Sequence, residues 1–226
     1  MIIDMRTYTY KPDKYREFLK IYREHGYAIT SEFLGKHIGL FTASSGTVNK
    51  TIQLFAYDDH DPRDRCRMNF LSSAKKQNFT NGSIDADSCI REQNSQIIVP
   101  TDFSPIRDYQ DENPIWRDKD CSRRIFEFNT YFCRPGKRTP AVEFIRNEVF
   151  PLAGKYVPWV LGYFVNDSGS EKVFELRAFA SLQERMEVNN TMNASEDGQA
   201  LLQQYEQFFL TTDSTIWEAM PMSMLQ

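Results

Sequence analysis

The sequence lacks the features that would place a protein in a membrane or on a nucleic acid. No apolar run approaches the roughly 20 residues that a helix needs to span a bilayer. The N-terminus shows neither an Arg-rich presequence nor the apolar core of a secretory signal. The formal net charge is −4 and no long basic run occurs, whereas phosphate-binding surfaces usually cluster Lys and Arg. We therefore expect a cytoplasmic protein with no transmembrane segment and no nucleic-acid partner.

Motifs for cofactors and metals are missing as well. There is no G-x-G-x-x-G fingerprint, no Walker sequence and no G-x-S-x-G elbow. The three histidines, His25, His37 and His60, are too dispersed to suggest a metal site. The acidic turn 58–61 is typical of a helix cap. We expect neither a cofactor nor a metal.

Cysteines are few and unpaired in sequence. None of Cys66, Cys89, Cys121 and Cys133 forms a C-x-x-C pair, which argues against a zinc ribbon or a thioredoxin-type motif. The chain is too large for a disulfide scaffold and shows no secretory signal. We therefore expect reduced thiols.

What the sequence does contain is an internal repeat. The stretch RTYTYKPDKY at 6–15 returns as NTYFCRPGKR at 129–138. Matches recur at a separation of 123 residues and, after one deletion, of 122. The matched pairs are Tyr8 and Tyr131, Pro12 and Pro135, Lys14 and Lys137, Gly39 and Gly162, Phe41 and Phe164, Leu54 and Leu176, Ala56 and Ala178, and Arg63 and Arg185. A spacing held over this length indicates two copies of one unit.

Each copy has the periodicities of a small α+β unit. Strand-type alternation at 2–10 is followed by a helix that the pattern ends at His25-Gly26, then by two strands, a second helical region and a last strand. The order β-α-β-β-α-β is that of a ferredoxin-like unit. We predict units at 1–103 and 123–226, joined by a linker at 104–122. The aromatic content of 14% supplies enough bulk for a core.

The residues of the first copy resemble the NIPSNAP family. The resemblance is carried by a strand of the form E-x-R-T-Y, by L-G-K-x-x-G-x-F, by G-x-x-N-x-x-x-x-L-x-x-Y and by a helix with an Arg pair. The matching residues are Asp4, Arg6, Thr7, Tyr8, Leu34, Gly35, Lys36, Gly39, Phe41, Gly46, Asn49, Leu54, Tyr57, Arg63 and Arg67. The match is strong over 2–103 and weaker over 124–222.

The resemblance implies a dimeric α/β-barrel, in which two ferredoxin-like units pair their sheets and keep their helices outside. Each unit covers one sheet face with its own helices, and the other face needs a partner. Duplication supplies that partner within one chain, at an effective concentration on the order of millimolar for a short flexible linker.

Alternation along the strands then predicts which side chains face the barrel interior. If odd-numbered residues of the first strand pack on helices, Asp4 and the other even-numbered residues enter the barrel. We assign catalytic roles to Arg6, Tyr8 and His37, the last at the barrel mouth as a general acid or base. The substrate-binding assignments are Tyr10, Gln53, Phe55, Tyr57, Glu127, Asn129, Tyr131, Glu175 and Arg177.

Two interpretations of these charged residues stay open. They pair with each other across the interface of the two halves and fix its register, or they hold an acidic or carbonyl ligand in a pocket. Two alternative functions are compatible with these residues. The first is a cofactor-independent enzyme or binder for a small apolar or aromatic ligand, and the second is a non-catalytic module that associates with proteins or membranes. Assembly into a homo-oligomer is compatible with both.

Overall fold

A computed structural model describes residues 1–82, 86–109 and 123–226 of the 226-residue chain. Of the predicted linker, 104–122, only 104–109 belongs to the described residues. The remainder lies outside them, together with Cys121. The described cysteines, Cys66, Cys89 and Cys133, are free thiols, as expected.

The first half alternates strands with helices. Its strands are β1 (Ile2–Tyr10), β2 (Lys36–Ala43), β3 (Lys50–Tyr57) and β4 (Ile90–Pro100). Its helices are α1 (Tyr15–Ile21), α2 (Tyr27–Phe33), α3 (His60–Ser72), α4 (Ala74–Gly82) and α5 (Ala86–Cys89).

The second half follows the same order. Its strands are β5 (Ile125–Cys133), β6 (Trp159–Asn166), β7 (Lys172–Phe179) and β8 (Phe209–Ala219). Its helices are α6 (Arg138–Phe144), α7 (Phe150–Tyr156), α8 (Leu182–Ala194) and α9 (Glu196–Tyr205).

Local side-chain caps fix where the long helices begin. The Asp59 carboxylate accepts a hydrogen bond from the backbone N–H of His60 at 2.7 Å, which confirms that the acidic turn is a cap. At the start of α8, Ser181 Oγ accepts from the N–H of Glu184 at 3.1 Å. The Glu184 carboxylate in turn accepts from the N–H of Ala180, so side chains satisfy two backbone N–H groups at this helix start.

The first helix does not end at His25-Gly26, so that prediction is wrong. A π turn, Tyr22–Gly26, joins α1 to α2, and a second π turn, Ile145–Val149, joins α6 to α7 at the equivalent place. A Cβ on Gly26 would lie 2.6 Å from the Tyr22 ring and 2.9 Å from the Phe79 ring. Gly26 therefore permits close ring packing inside the helix and does not terminate it.

The strands close into one antiparallel barrel. Around the barrel the order is β1-β3-β2-β8-β5-β7-β6-β4. Each half contributes four neighbouring strands, in the orders β4-β1-β3-β2 and β8-β5-β7-β6. The halves meet along two short seams, where Phe41 pairs with Ala219 in β2–β8 and Val99 pairs with Val165 in β4–β6. A mixed fold with an eight-stranded antiparallel barrel is thus present in the described residues.

The barrel interior is an apolar core shared by both halves. It includes Ile3 and Met5 from β1, and the rings of Phe41 and Phe126 approach to 4.9 Å between their centroids. Since these side chains fill the interior, the barrel is a packed core. The odd-numbered residues of β1 therefore face inward, and Asp4 and the other even-numbered residues face the helices.

The predicted orientation of the polar strand face is consequently wrong. The predicted barrel-facing residues of β1, β3, β5 and β7 lie on the outer face of the sheet, under the helices. The physical reason is charge. Asp4 and Glu127 are almost fully buried, and their partners Arg63 and Arg185 come from α3 and α8. A buried carboxylate needs such a partner, and the helices supply it.

The repeated Gly–Phe pairs mark a bulge next to the core. The register of β2 against β3 shifts between His37 and Gly39, and that of β6 against β7 shifts just before Gly162. A Cβ on Gly39 would lie 2.5 Å from the Phe41 ring, and one on Gly162 would lie 2.4 Å from the Phe164 ring. Glycine is required at both places because the ring folds back over the backbone.

Candidate functional site

Each half has a cleft between the outer face of its sheet and its covering helices. The second-half cleft has a volume of about 350 Å³ and lies between β5, β7 and β8 on one side and α6 to α9 on the other. The first-half cleft has a volume of about 300 Å³ in the equivalent position. Both volumes fall at the lower end of the range of small-molecule sites, which is roughly 300–1,000 Å³.

The floor of the second-half cleft is built around the buried carboxylate of Glu175. One carboxylate oxygen accepts hydrogen bonds from Tyr131 Oη at 2.6 Å and Asn129 Nδ2 at 2.9 Å. The other accepts from Tyr163 Oη at 2.6 Å. The side chain of Arg177 adds a cation, with Nε 3.6 Å from the carboxylate. Glu175 is 1% exposed, so these contacts replace its hydration.

Beside it, Glu127 joins two arginines. Arg177 donates to one Glu127 oxygen from Nη2 at 2.5 Å and from Nε at 3.0 Å. Arg185 donates to the other oxygen, which also accepts from Ser214 Oγ at 2.9 Å. The floor therefore balances two carboxylates, Glu127 and Glu175, with two guanidinium groups.

These contacts shift the protonation equilibria in opposite directions. Burial raises the pKa of Glu127, but the charge of Arg177 and the hydrogen bond and charge of Arg185 outweigh it, so the net shift is downward. Burial raises the pKa of Tyr131, and the neighbouring negative charge of Glu175 raises it further. At neutral pH the floor presents an ionised Glu127 and a protonated Tyr131.

The walls of this cleft are mainly apolar. Helices α6, α7 and α9 contribute Phe144, Leu152 and Leu201, and β8 contributes Phe209. Tyr205 stacks on Phe209 with 4.7 Å between ring centroids. Apolar walls with a few polar groups converging at one end are the usual build of a small-molecule pocket.

The floor of the second-half cleft contains both hydrogen-bond donors and proton acceptors. A protonated tyrosine and a guanidinium group can donate to a carbonyl or hydroxyl oxygen of a ligand, and a carboxylate can accept a proton from it. Among residues 1–82, 86–109 and 123–226, no group of three or more His, Cys, Asp or Glu side chains is placed to hold a metal ion.

The first-half cleft has a different floor. Arg6 Nε donates to Tyr8 Oη at 2.9 Å, and Gln53 lies beside them on β3. Behind Arg6, the Asp4 carboxylate accepts from Arg63 Nε at 3.0 Å and from Ser95 Oγ at 2.6 Å.

This arrangement repeats that of the second half, in which Glu127, Arg185 and Ser214 take the corresponding places. The ion pairs predicted across the interface of the halves therefore form within each half. The predicted pairing of the charged residues is present, but its predicted place across the interface is wrong.

The structure groups most of the predicted site residues into these two clefts. Arg6, Tyr8, Tyr10 and Gln53 line the first cleft, together with Arg67. The residues of the second copy line the other cleft, and they are Glu127, Asn129, Tyr131, Glu175 and Arg177. The predicted single site is thus divided between two places on opposite halves.

Three predicted residues line neither cleft. Phe55 and Tyr57 pack with Ile2 and Leu34 under α3. His37 is 6% exposed, and its ring stacks on Phe55 with 4.6 Å between centroids. Burial lowers the pKa of His37 to about 4, so the ring is neutral at physiological pH.

Sequence reasoning missed Arg185, Tyr163 and Arg67 as members of these floors. The repeat held the signal for Arg185, because Arg63 and Arg185 recur at the fixed spacing. A charged pair repeated in both copies needs buried carboxylates opposite it. Tyr163 carried no such signal, since a strand Tyr on a covered face is usually core.

No helix within the described parts of the chain is long and apolar enough to cross a membrane.

Comparison with known proteins identifies the family. The NIPSNAP family model matches residues 3–105 and 126–224. A NIPSNAP domain protein from Burkholderia xenovorans is 33% identical, with a TM-score of 0.43, over 46% of this chain and 99% of its own. A NIPSNAP family protein from Agrobacterium tumefaciens is 32% identical, with a TM-score of 0.44, over 47% and 98%. No curated protein matches significantly.

A further solved structure matches nearly the whole chain. An anthrone oxidase-like protein superimposes with a TM-score of 0.60 over 97% of this chain and 91% of its own, at 10% identity. At that identity the likeness concerns the fold. The family match, by contrast, spans both halves and covers most of the chain. The chain therefore belongs to the NIPSNAP family.

Proposed function

We propose that the chain binds a small neutral metabolite, apolar or aromatic and carrying a carbonyl group, in its second-half cleft, and that it acts on this ligand without a cofactor. The observation that carries the proposal is the charge-balanced floor of that cleft at the end of apolar walls. Because Glu127, Glu175, Arg177 and Arg185 neutralise each other, the floor favours a polar but uncharged group.

In this proposal the floor residues have separate roles. When the ligand binds, the Tyr131 hydroxyl turns its single proton from Glu175 to the ligand carbonyl oxygen, which frees one Glu175 oxygen. Arg177 donates to the same carbonyl oxygen and helps to orient it. The Glu175 carboxylate accepts a proton from the carbon next to that carbonyl. The C–H electron pair moves to the carbonyl oxygen as an enolate, which Tyr131 and Arg177 stabilise before the carbon is protonated again. Proton transfer of this kind needs no oxidant or metal.

Arg6 and Tyr8, which the sequence predicts to be catalytic, line the first-half cleft and take no part in this proton transfer. His37 has no role in the proposed proton transfer, because it lines neither cleft and its burial disfavours the charged form.

The proposal includes the organisation of the chain. Residues 1–103 and 123–226 are tandem ferredoxin-like units, joined by the linker 104–122, that form a dimeric α/β-barrel within one chain. The repeated strand order of the two halves supports this division. The cytoplasmic location and the capacity to form homo-oligomers stay predictions.

The test is calorimetric titration with 2-acetylnaphthalene, a neutral aromatic ketone. Leu201→Trp places an indole in the cleft and should reduce affinity at least tenfold. Tyr131→Phe should reduce affinity roughly three- to tenfold by removing one donor. The matched control is Tyr8→Phe, the equivalent change in the first half, which should leave binding unchanged.

Proton transfer has its own readout. The methyl protons of the bound ketone should exchange with deuterium in heavy water, and Glu175→Gln should abolish the enzyme-dependent exchange. Ketone binding that is equal in wild type and Leu201→Trp contradicts the placement of the site. Absence of any ketone binding would favour the alternative, a non-catalytic interaction module.

A further inference from the structure

The first-half cleft carries positive charge that its described surroundings do not balance. Behind its floor, Asp4 forms ion pairs with Arg63 at 3.0 Å and Arg6 at 3.8 Å. Arg67 also lines this cleft, but it forms no ion pair with any residue that the structure describes. Among the described residues, Arg6 and Arg63 therefore share the Asp4 carboxylate, Arg63 also pairs with the exposed Asp64 at 2.9 Å, and Arg67 has no carboxylate of its own.

Arg67 is the exceptional member of this group. Its guanidinium carbon lies 5.9 Å from the ring centroid of Phe70, on the same helix. Burial lowers the pKa of Arg67, and the positive charge of Arg6 lowers it further. A partly desolvated cation next to another cation is unfavourable without an anion, and a bound anion would remove this electrostatic penalty.

The second half shows that the fold does not require this charge. The residue equivalent to Arg6 is Asn129, and the residue equivalent to Arg67 is Asn189. Both asparagines line the second-half cleft, whose floor is charge-balanced. The surplus cations therefore belong to the first half alone and are not needed to build the barrel.

The rest of the first cleft indicates what accompanies the anion. Its walls carry the aromatic rings of Tyr10, Phe18, Tyr22, Phe70 and Phe79. Tyr10 and Phe18 are tilted against each other with 4.5 Å between centroids. Aromatic walls next to cations suit a molecule with an apolar body and a charged head group. Arginine binds the planar carboxylate with particular geometric advantage.

We propose that the first-half cleft binds a small organic carboxylate, whose head group lies between Arg6 and Arg67 and whose aromatic or apolar body packs against Tyr10 and Phe18. The two clefts of one chain then have different ligands, an anion in the first half and a neutral carbonyl compound in the second. This site does not depend on the function proposed for the second half.

The test compares two probes that differ in charge alone. Calorimetric titration with 2-naphthylacetate is set against titration with 2-naphthylacetamide, its neutral isostere. The carboxylate should bind at least tenfold more tightly than the amide. Its affinity should fall as salt concentration rises, because part of the attraction is electrostatic.

Substitutions then assign the preference to this cleft. Arg67→Gln and Arg6→Gln should each reduce carboxylate affinity at least tenfold and bring it to within about threefold of the amide. Arg67→Lys should restore part of the preference, because it keeps the charge and loses the planar fork. The matched control is Asn189→Ala, which removes the equivalent side chain in the second half and should leave carboxylate affinity unchanged.

Thermal unfolding distinguishes a binding role from a structural one. Without ligand, Arg67→Gln should keep or raise the midpoint, because it removes an unbalanced charge. With saturating 2-naphthylacetate, the midpoint of the wild type should rise more than that of the variant. Equal affinity for the two probes, unchanged carboxylate affinity in Arg67→Gln and Arg6→Gln, or no binding of 2-naphthylacetate would each overturn the proposal.

Discussion

Glu127→Gln is the most informative perturbation of the second-half floor. The substitution keeps the size of the side chain and removes its charge. Glu127 is 1% exposed and accepts hydrogen bonds from Arg177, Arg185 and Ser214. In the variant, the amide oxygen can still accept a hydrogen bond, but the ion pair that Arg177 keeps among the described residues is the weaker one with Glu175 at 3.6 Å.

The expected loss follows from breaking a buried ion pair. Removal of one partner from such a pair costs about 3–5 kcal/mol, because the other charge stays buried without compensation. Arg185 moderates this cost, since a quarter of its side chain is exposed and can recover hydration. We expect the free energy of unfolding at pH 7 to fall by about 3 kcal/mol, measured by urea denaturation.

The pH dependence provides an independent check. The folded-state pKa of Glu127 lies below its unfolded value. The stability that Glu127 contributes is therefore fully present above the unfolded pKa of about 4.3 and is lost as the pH falls through the folded pKa. The difference between wild type and Glu127→Gln should shrink between pH 5 and pH 2.

The matched control is Arg63→Gln in the first half, where Asp4 keeps Arg6 and Ser95 as partners. This loss should be smaller, about 1–2 kcal/mol. A loss below about 1 kcal/mol for Glu127→Gln, or a difference that stays constant from pH 7 to pH 2, would refute the reasoning, since a buried pair of this geometry must show both effects.

Three further predictions concern other parts of the chain. His37→Val, which installs the residue found at the equivalent position Val160, should flatten the pH dependence of unfolding between pH 6.5 and 4. His37 should contribute a loss of about 3 kcal/mol over that range in the wild type, because it protonates in the unfolded state only, and an unchanged slope would contradict its burial. Gly198→Ala should cost at least 1–3 kcal/mol by denaturation, because the new Cβ would lie 2.0 Å from the carbonyl oxygen of Met192, whereas Gly154→Ala, with open space at its Cβ, should not destabilise the chain. Asp59→Ala should lower the free energy of unfolding by about 1 kcal/mol through loss of the α3 cap, and no measurable change would show that the 2.7 Å hydrogen bond contributes nothing.

The repeat and the order of elements could be read from the sequence because they depend on local patterns. Strand alternation, Pro and Asp helix starts and paired Gly–Phe positions each leave a trace within a few residues. The closure of the barrel was predicted from the resemblance to the family, not from a local pattern. The seams between the halves leave no such trace, since β2 and β8 pair over only three residues far apart in sequence.

The face of each strand was harder to assign. Alternation separated Ile3 and Met5 from Asp4 and Arg6, but it could not say which set faced the barrel. The decision depends on Arg63 and Arg185, which reach the sheet from helices that follow much later in the chain. Charge balance across elements is a tertiary property, and only the repeated arginine hinted at it.

The predictions of where the first helix ends and of what His37 does were wrong for related reasons. Gly26 looked like a terminator, but its neighbours Tyr22 and Phe79 fill the space that a side chain would occupy. His37 looked like an acid–base group because of its titration range, but burial against Phe55 keeps it neutral. Packing overrode local propensity in both cases.

The most direct test of the central claim is a crystal structure of the chain soaked with 2-acetylnaphthalene. The account predicts density for the ketone outside the barrel, under α6 to α9, with its oxygen within hydrogen-bonding distance of Tyr131 or Arg177. Density for the ketone inside the barrel, among Phe41 and Phe126, would contradict it.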